Sequence, residues 1–202
     1  MKNIVFLIIS LSLIVTISCS SDGDSNTQQI TLSQDEVNDL KFLREEEKLA
    51  RDVYIYAYDK YSDVVFNNIS QSEQQHMDKI LVLLNTYNVE DPALPNTGEF
   101  SNQILQGIYN DLTAQVDISL IEALKVGATI EDLDIKDIEN FENRTDKSNI
   151  LNTYEKLKCG SRNHMRNYYN QLSNNGVTYV VQFISASELT TIINSSNEQC
   201  GN

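Results

Sequence analysis

Residues 66–87 read FNNISQSEQQHMDKILVLLNTY. Phe66, Ile69, Ile80, Leu83 and Tyr87 fall on the alternating spacing of three and four that lines one face of a packed helix. The same spacing selects Glu73 and His76 between them, so a carboxylate and an imidazole replace one apolar layer of the seam. Three other stretches repeat the pattern. Leu40, Leu43, Glu47, Ala50, Tyr54, Ala57 and Tyr61 form one seam, and Leu120, Leu124, Gly127, Glu131, Asp134, Ile138 and Phe141 form another. Ile150, Tyr154, Leu157, Ser161, His164, Tyr168 and Gln171 complete the set. Four amphipathic segments, each with one polar layer, predict an all-α protein built as an antiparallel four-helix bundle.

A carboxylate buried without a partner costs several kcal/mol, so a core holding four of them needs compensating positive charge. Two divalent cations supply it: Glu47, Glu73, Glu131 and Asp134 bring four negative charges, and the neutral imidazoles of His76 and His164 complete the coordination. The chain has only these two histidines, and both fall on seams. Competing readings exist for two of the acids. Glu47 lies in the run Glu45 to Glu47, a pattern that also fits a solvated face, and Ser70-x-x-Glu73 fits a capping box. The period continues upstream through Phe66 and Ile69, which moves the helix start toward Asp63 and leaves Glu73 interior.

The first-helix stretch Glu47-Lys48-Leu49-Ala50-Arg51-Asp52-Val53-Tyr54 resembles the Glu-x-x-Ala-Arg-x-x-Tyr signature of rubrerythrin-like members of the ferritin-like di-metal carboxylate superfamily. Glu73-Gln74-Gln75-His76 resembles their second-helix motif, and Glu131 their third-helix Glu. Ser72 to Met77, Gly127 to Ile135 and Gly160 to Arg166 also resemble an uncharacterised ferritin-like domain family of bacterial and archaeal proteins, over roughly residues 33 to 195. The superfamily pattern takes one Glu from each of two helices and Glu-x-x-His from each of the other two. This chain departs from it at Ser161-x-x-His164, where a carboxylate is absent. Asp134, one turn beyond Glu131, is the candidate to replace it.

Helix one is expected from after Ser33, helped by Ser33-x-x-Glu36, to about Tyr61, and helix two from about Asp63 to Asn88. Glu47 stands about as far before that turn as His76 stands after it, so antiparallel packing sets them at one level. Pro92, Pro95 and Gly98 open a long crossover that carries a short helix near Ser101 to Leu112. Helix three starts near Ser119, helix four runs from about Asp146 to Leu172, and Ser185-x-x-Glu188 caps a short C-terminal helix. Tyr54, Tyr154 and Tyr168 lie on seams and read as core packing with one hydroxyl hydrogen-bonded.

Residues 1–18 are not part of this fold. Lys2, the apolar stretch Ile4 to Ile17 and then Ser18-Cys19-Ser20 have the layout of a secretory signal, and a small residue before Cys resembles a bacterial lipoprotein cleavage site. Cys19 then becomes the acylated first residue, 19–32 a flexible polar tether, and 33–202 the bundle domain. A plain signal peptide or an uncleaved anchor is the alternative. On the lipoprotein reading the protein belongs to the cell envelope, tied to a membrane outside the cytoplasm. Cys159 and Cys200 make an even pair suited to a disulfide in such an oxidising space. No Cys-x-x-Cys occurs, so electrons for any redox chemistry come from an external donor.

The formal net charge is −14, and about −15 once Lys2 leaves with the leader, which argues against nucleic acid as a partner. Oxygen-rich ligation with two imidazoles suits iron or manganese better than a closed structural zinc site. The leading functional expectation is a lipid-anchored di-iron or di-manganese protein that reduces peroxide or dioxygen, or oxidises ferrous iron. The alternative is a non-enzymatic metal-binding or interaction module on the same bundle.

Overall fold

The computed structural model describes residues 31–201, which form six α-helices. The leader, Cys19 and nearly all of the expected tether lie outside the described residues. Helix α1 spans Gln34–Tyr61 and opens on a capping box, with Ser33 Oγ accepting from Glu36 N and Glu36 returning the bond to Ser33 N. Ser62 ends it in the left-handed region at φ 53°, and Asp63 caps α2, Val64–Thr86, by accepting from Val65 N. Only these two residues separate the helices, so α2 must fold straight back along α1. Glu73 is interior to α2, nine residues past its first, which disposes of the local capping box.

The crossover carries α3, Gln103–Val116, and leads to α4, Leu120–Glu142, capped by Ser119. Helix α5 covers Ser148–Asn174, and α6, Ala186–Asn194, starts from the Ser185 cap. Helix α1 packs on α2 and α4, and α5 packs on the same two, closing a four-helix ring; α3 leans on α1 and α4, and α6 on α5. Among the described residues no helix is long and apolar enough to cross a membrane.

The core is cut in two. One apolar cluster collects Val53, Tyr54, Phe66, Leu124, Ile135 and Tyr168, while the other collects Leu40, Leu43, Ile80, Leu83, Ile138 and Leu157. Between them each long helix contributes its polar layer, and every member of that layer is buried. The crossover is strapped to the back of α1 by charge. Lys48 Nζ donates to Asn96 O at 2.8 Å, Gly98 N donates to Asp52 at 2.9 Å, and Ser101 N donates to Glu45 at 2.7 Å.

The C-terminal segment is held as firmly. Asp132 accepts from Tyr179 Oη and from the backbone N–H of Gln182, Phe183 and Ile184. Cys159 and Cys200 are joined by a disulfide, and Arg162 and Arg166 both pair with Glu198 beside it.

Candidate metal centre

Four helices converge on Glu73. Its Oε2 lies 2.8 Å from His76 Nδ1, and its Oε1 lies 2.9 Å from His164 Nδ1. His76 Nδ1 is also 3.1 Å from Glu47 Oε2 across the α1–α2 pair, and His164 Nδ1 is 3.4 Å from Glu131 Oε2 across α4–α5. Two groups result, Glu47–Glu73–His76 and Glu73–Glu131–His164, each with one ligand atom per residue within 4.8 Å of the others. Glu73 belongs to both. The two imidazoles stack with ring centres 5.6 Å apart.

Supporting contacts set the orientation of these side chains. Ser72 Oγ meets His164 Nε2 at 2.9 Å, which leaves Nδ1 turned toward the carboxylates. Tyr54 Oη donates to Glu131 Oε1 at 2.6 Å. Gly160 is required beside His76: a Cβ there would stand 2.5 Å from His76 Nε2. Gly127 does the same for Tyr168, whose ring would meet an added Cβ at 2.5 Å. Tyr168 packs against Tyr54 and Phe66, whereas Tyr154 belongs to the other apolar cluster, away from this layer.

Asp134 stands beside the centre in a different role from the other acids. Ser161 Oγ donates to its Oδ2, so the serine found where the superfamily pattern has Glu contacts the aspartate proposed to replace it. Asp134 is in neither three-residue group. Its Oδ1 has no partner.

Burial dominates the electrostatics of this layer. Burial pushes the carboxyl of Glu47 up to about 7 despite His76. Burial and then the charge of Glu47 raise Asp134 well above the usual carboxylate range, and burial raises Glu131 against the pull of His164. Burial also acts to raise Glu73, but His164 and His76 together hold it well below its ordinary value. Burial opposes the charge on both imidazoles, yet Glu47 and Glu73 raise His76 well above its usual value, and Glu73 and Glu131 raise His164 to about 10.

The donor set fits divalent cations. Glu47 Oε1, Glu73 Oε1, Asp134 Oδ1 and His164 Nδ1 are buried without a hydrogen-bond partner. Glu73 Oε1 and His164 Nδ1 are close, but they are not aligned for a hydrogen bond, as expected of two donors facing one shared point. Orphaned buried atoms cost about 1–3 kcal/mol each unless something binds them. Carboxylate oxygens and imidazole nitrogens are donors that divalent cations take.

Two groups around this centre have no counterpart in the seam pattern. Glu45 and Glu46 are buried with Glu47, so the acidic run is not a solvated face. Glu46 has a legible signal: its neighbours at three and four positions are Leu43, Phe42, Leu49 and Ala50, all apolar. Lys48 and Asp52, both fully buried, were hidden because Arg44, Glu45 and Arg51 surround them in the helix as on a solvated face.

Comparison with known proteins places the chain. Residues 36–196 match the family model described as uncharacterized protein domain DUF2202. The uncharacterized protein MJ0754 of Methanocaldococcus jannaschii is 48% identical over 169 residues, covering 83% of this chain and 91% of that protein. The crystal structure of hypothetical protein MJ0754 from Methanococcus jannaschii aligns with a TM-score of 0.82 at 48% identity, covering 83% of this chain and 96% of that one. With most of its length matched by the model and nearly half its residues shared with such a relative, the chain belongs to the DUF2202 family.

Proposed function

We propose that this protein is a ferritin-like di-metal protein, anchored by lipid at Cys19 in the cell envelope, which holds two iron or manganese ions and uses them to reduce peroxide or dioxygen or to oxidise ferrous iron. The observation that carries this reading is Glu73, buried at 2% exposure and shared by two carboxylate–imidazole groups in which Glu47 Oε1, Glu73 Oε1 and His164 Nδ1 have no hydrogen-bond partner. Glu47, Glu73 and His76 would hold one ion, and Glu73, Glu131 and His164 the other. Paired redox metals supply a place where a two-electron reduction of an O–O bond is shared between two centres.

The chain's own residues prepare that site. Ser72 fixes the direction of His164, Tyr54 holds Glu131 in place, and Ser161 ties down Asp134. The two apolar clusters close the layer off above and below. The disulfide between Cys159 and Cys200 suits an oxidising compartment and leaves neither thiol to serve as an electron relay. Electrons then come from an external donor.

A second reading is favoured by one contact. Because Ser161 replaces a carboxylate and engages Asp134, the second ion has a poorer ligand set, which suits a metal-binding module without turnover. Elemental analysis and peroxide consumption by the purified domain separate the two. Two ions per chain with peroxide turnover establish the first, metal without turnover the second, and a metal-free protein refutes both. Loss of fatty-acid labelling and of membrane retention in Cys19→Ala tests the anchor; a variant still membrane-bound and normally processed refutes it.

A further inference from the structure

We propose that Asp137, Glu46 and Asp134 form the route by which divalent cations enter the buried centre from the cavity between α1, α4 and the crossover. This rests on the di-metal reading above. The cavity, about 660 Å³, has Asp39, Glu45 and Asp137 among its lining residues, together with Lys41 and Arg144, the latter paired with Asp39. Asp137 marks the outer end. Glu131, Asp134 and Asp137 follow one another at intervals of three along α4, so each carboxylate neighbours the next and the row winds from the centre to the cavity wall.

Glu46 fills the gap from α1. It is 3% exposed, and neither of its carboxylate oxygens has a hydrogen-bond partner. Phe42 packs on Phe141 and Tyr54 reaches Glu131, so α1 runs antiparallel to α4 and Glu46, one turn beyond Phe42, stands level with Asp137, one turn before Phe141, with Asp134 one turn farther on. A buried carboxyl without a partner is destabilising, and among the described residues Glu46 makes neither a hydrogen bond nor an ion pair. Its oxygens are placed to receive a cation from Asp137 and pass it to Asp134, whose Oδ1 is likewise unpartnered.

The other approach to the centre is electrostatically wrong for cations. A cavity of about 320 Å³ reaches His76 and His164 from outside, but Lys79 and Lys156 line it, and its one acid, Glu198, is already paired with Arg162 and Arg166. Positive walls repel a divalent ion, and acidic ones concentrate it.

The test follows Co²⁺ uptake by the metal-free, full bundle domain in stopped flow, reading the visible bands of the bound ion, with final content measured by elemental analysis. Glu46→Gln and Asp137→Asn should each slow loading about ten-fold, the scale of lost electrostatic focusing, while final content stays at the wild-type value. The double variant should load about as slowly as the slower single one, since both act on one path. Lys79→Gln and Lys156→Gln should leave the rate within about two-fold. Unchanged loading in both acid variants overturns the route, as does lowered final content at an unchanged rate. If Glu46→Gln does not fold, Asp137→Asn at the cavity wall decides alone. Wild-type protein that binds no Co²⁺ overturns the metal centre itself, which keeps the two failures apart.

Discussion

Two buried charged clusters sit on α1 within a turn of each other, and they are finished to different degrees. Around Lys48 every charge is answered: Lys48 Nζ donates to Asp52 and to Asn96 O and lies 4.5 Å from the centre of the Phe100 ring, while Arg51 takes the other oxygen of Asp52. Around Glu47 the acids outnumber their partners, and oxygens of Glu46, Glu47, Glu73 and Asp134 have none. The saturated cluster holds the crossover in place and asks for nothing more. The unsaturated one has oxygens left over for a ligand to bind.

Removing one partner should therefore hurt the first cluster most. Lys48→Met strands the buried carboxylate of Asp52 and should destabilise the fold by about 3–5 kcal/mol in urea denaturation. A loss below about 1 kcal/mol would show that Arg51 and Gly98 suffice for Asp52.

In the second cluster the size of the effect depends on metal. Glu73→Gln should destabilise metal-free protein by about 1–3 kcal/mol, because it removes the carboxylate that both imidazoles face. It should also abolish the added stability of about 2.7 kcal/mol per site that free Mn²⁺ at a hundred times Kd gives the wild type. Unchanged metal content in both Glu73→Gln and His76→Ala would erase the distinction between the clusters.

A steric probe sharpens it. Gly160→Ala adds a methyl group 2.5 Å from His76 Nε2, so the ring must move, and Mn²⁺ affinity should fall about 10–100-fold by titration. Gly107→Ala, in open space on α3, is the control.

The smallest effect concerns the C-terminal tail. Arg162 and then Arg166 hold Glu198 down to about 2, from an ordinary 4.5. A lowered carboxyl stabilises the fold above its unfolded value and loses that contribution as pH falls through the folded one, here between about pH 4.5 and 2. Partial exposure screens the pair, so the loss should be about 1 kcal/mol. Comparing acid titrations of wild type and Glu198→Gln isolates it; identical curves would refute it.

The helices were legible because their seams and caps are local. Ser33, Asp63, Ser119 and Ser185 each stand at the end the sequence assigns them. The limits were less so: α2 stops at Thr86 rather than Asn88, which adopts φ 54°, and α3 continues to Val116, past Leu112. The level of Glu47 against His76 followed from the short turn. What local pattern could not disclose were partners brought from afar, such as Asn96 and Gly98 for the Lys48–Asp52 pair, or the 182–184 backbone for Asp132. A charged residue with charged helical neighbours looks solvated until a distant loop covers it.

The bond between Cys159 and Cys200 has a topological consequence. It closes a covalent ring, with the cysteines 41 positions apart, that contains the end of α5, the segment docked on Asp132 and all of α6. A single protease cut anywhere inside that ring severs the chain without releasing a fragment, because each new end is still fastened through sulfur. Nicked protein then runs as one species on a non-reducing gel and separates into two pieces only after thiol treatment.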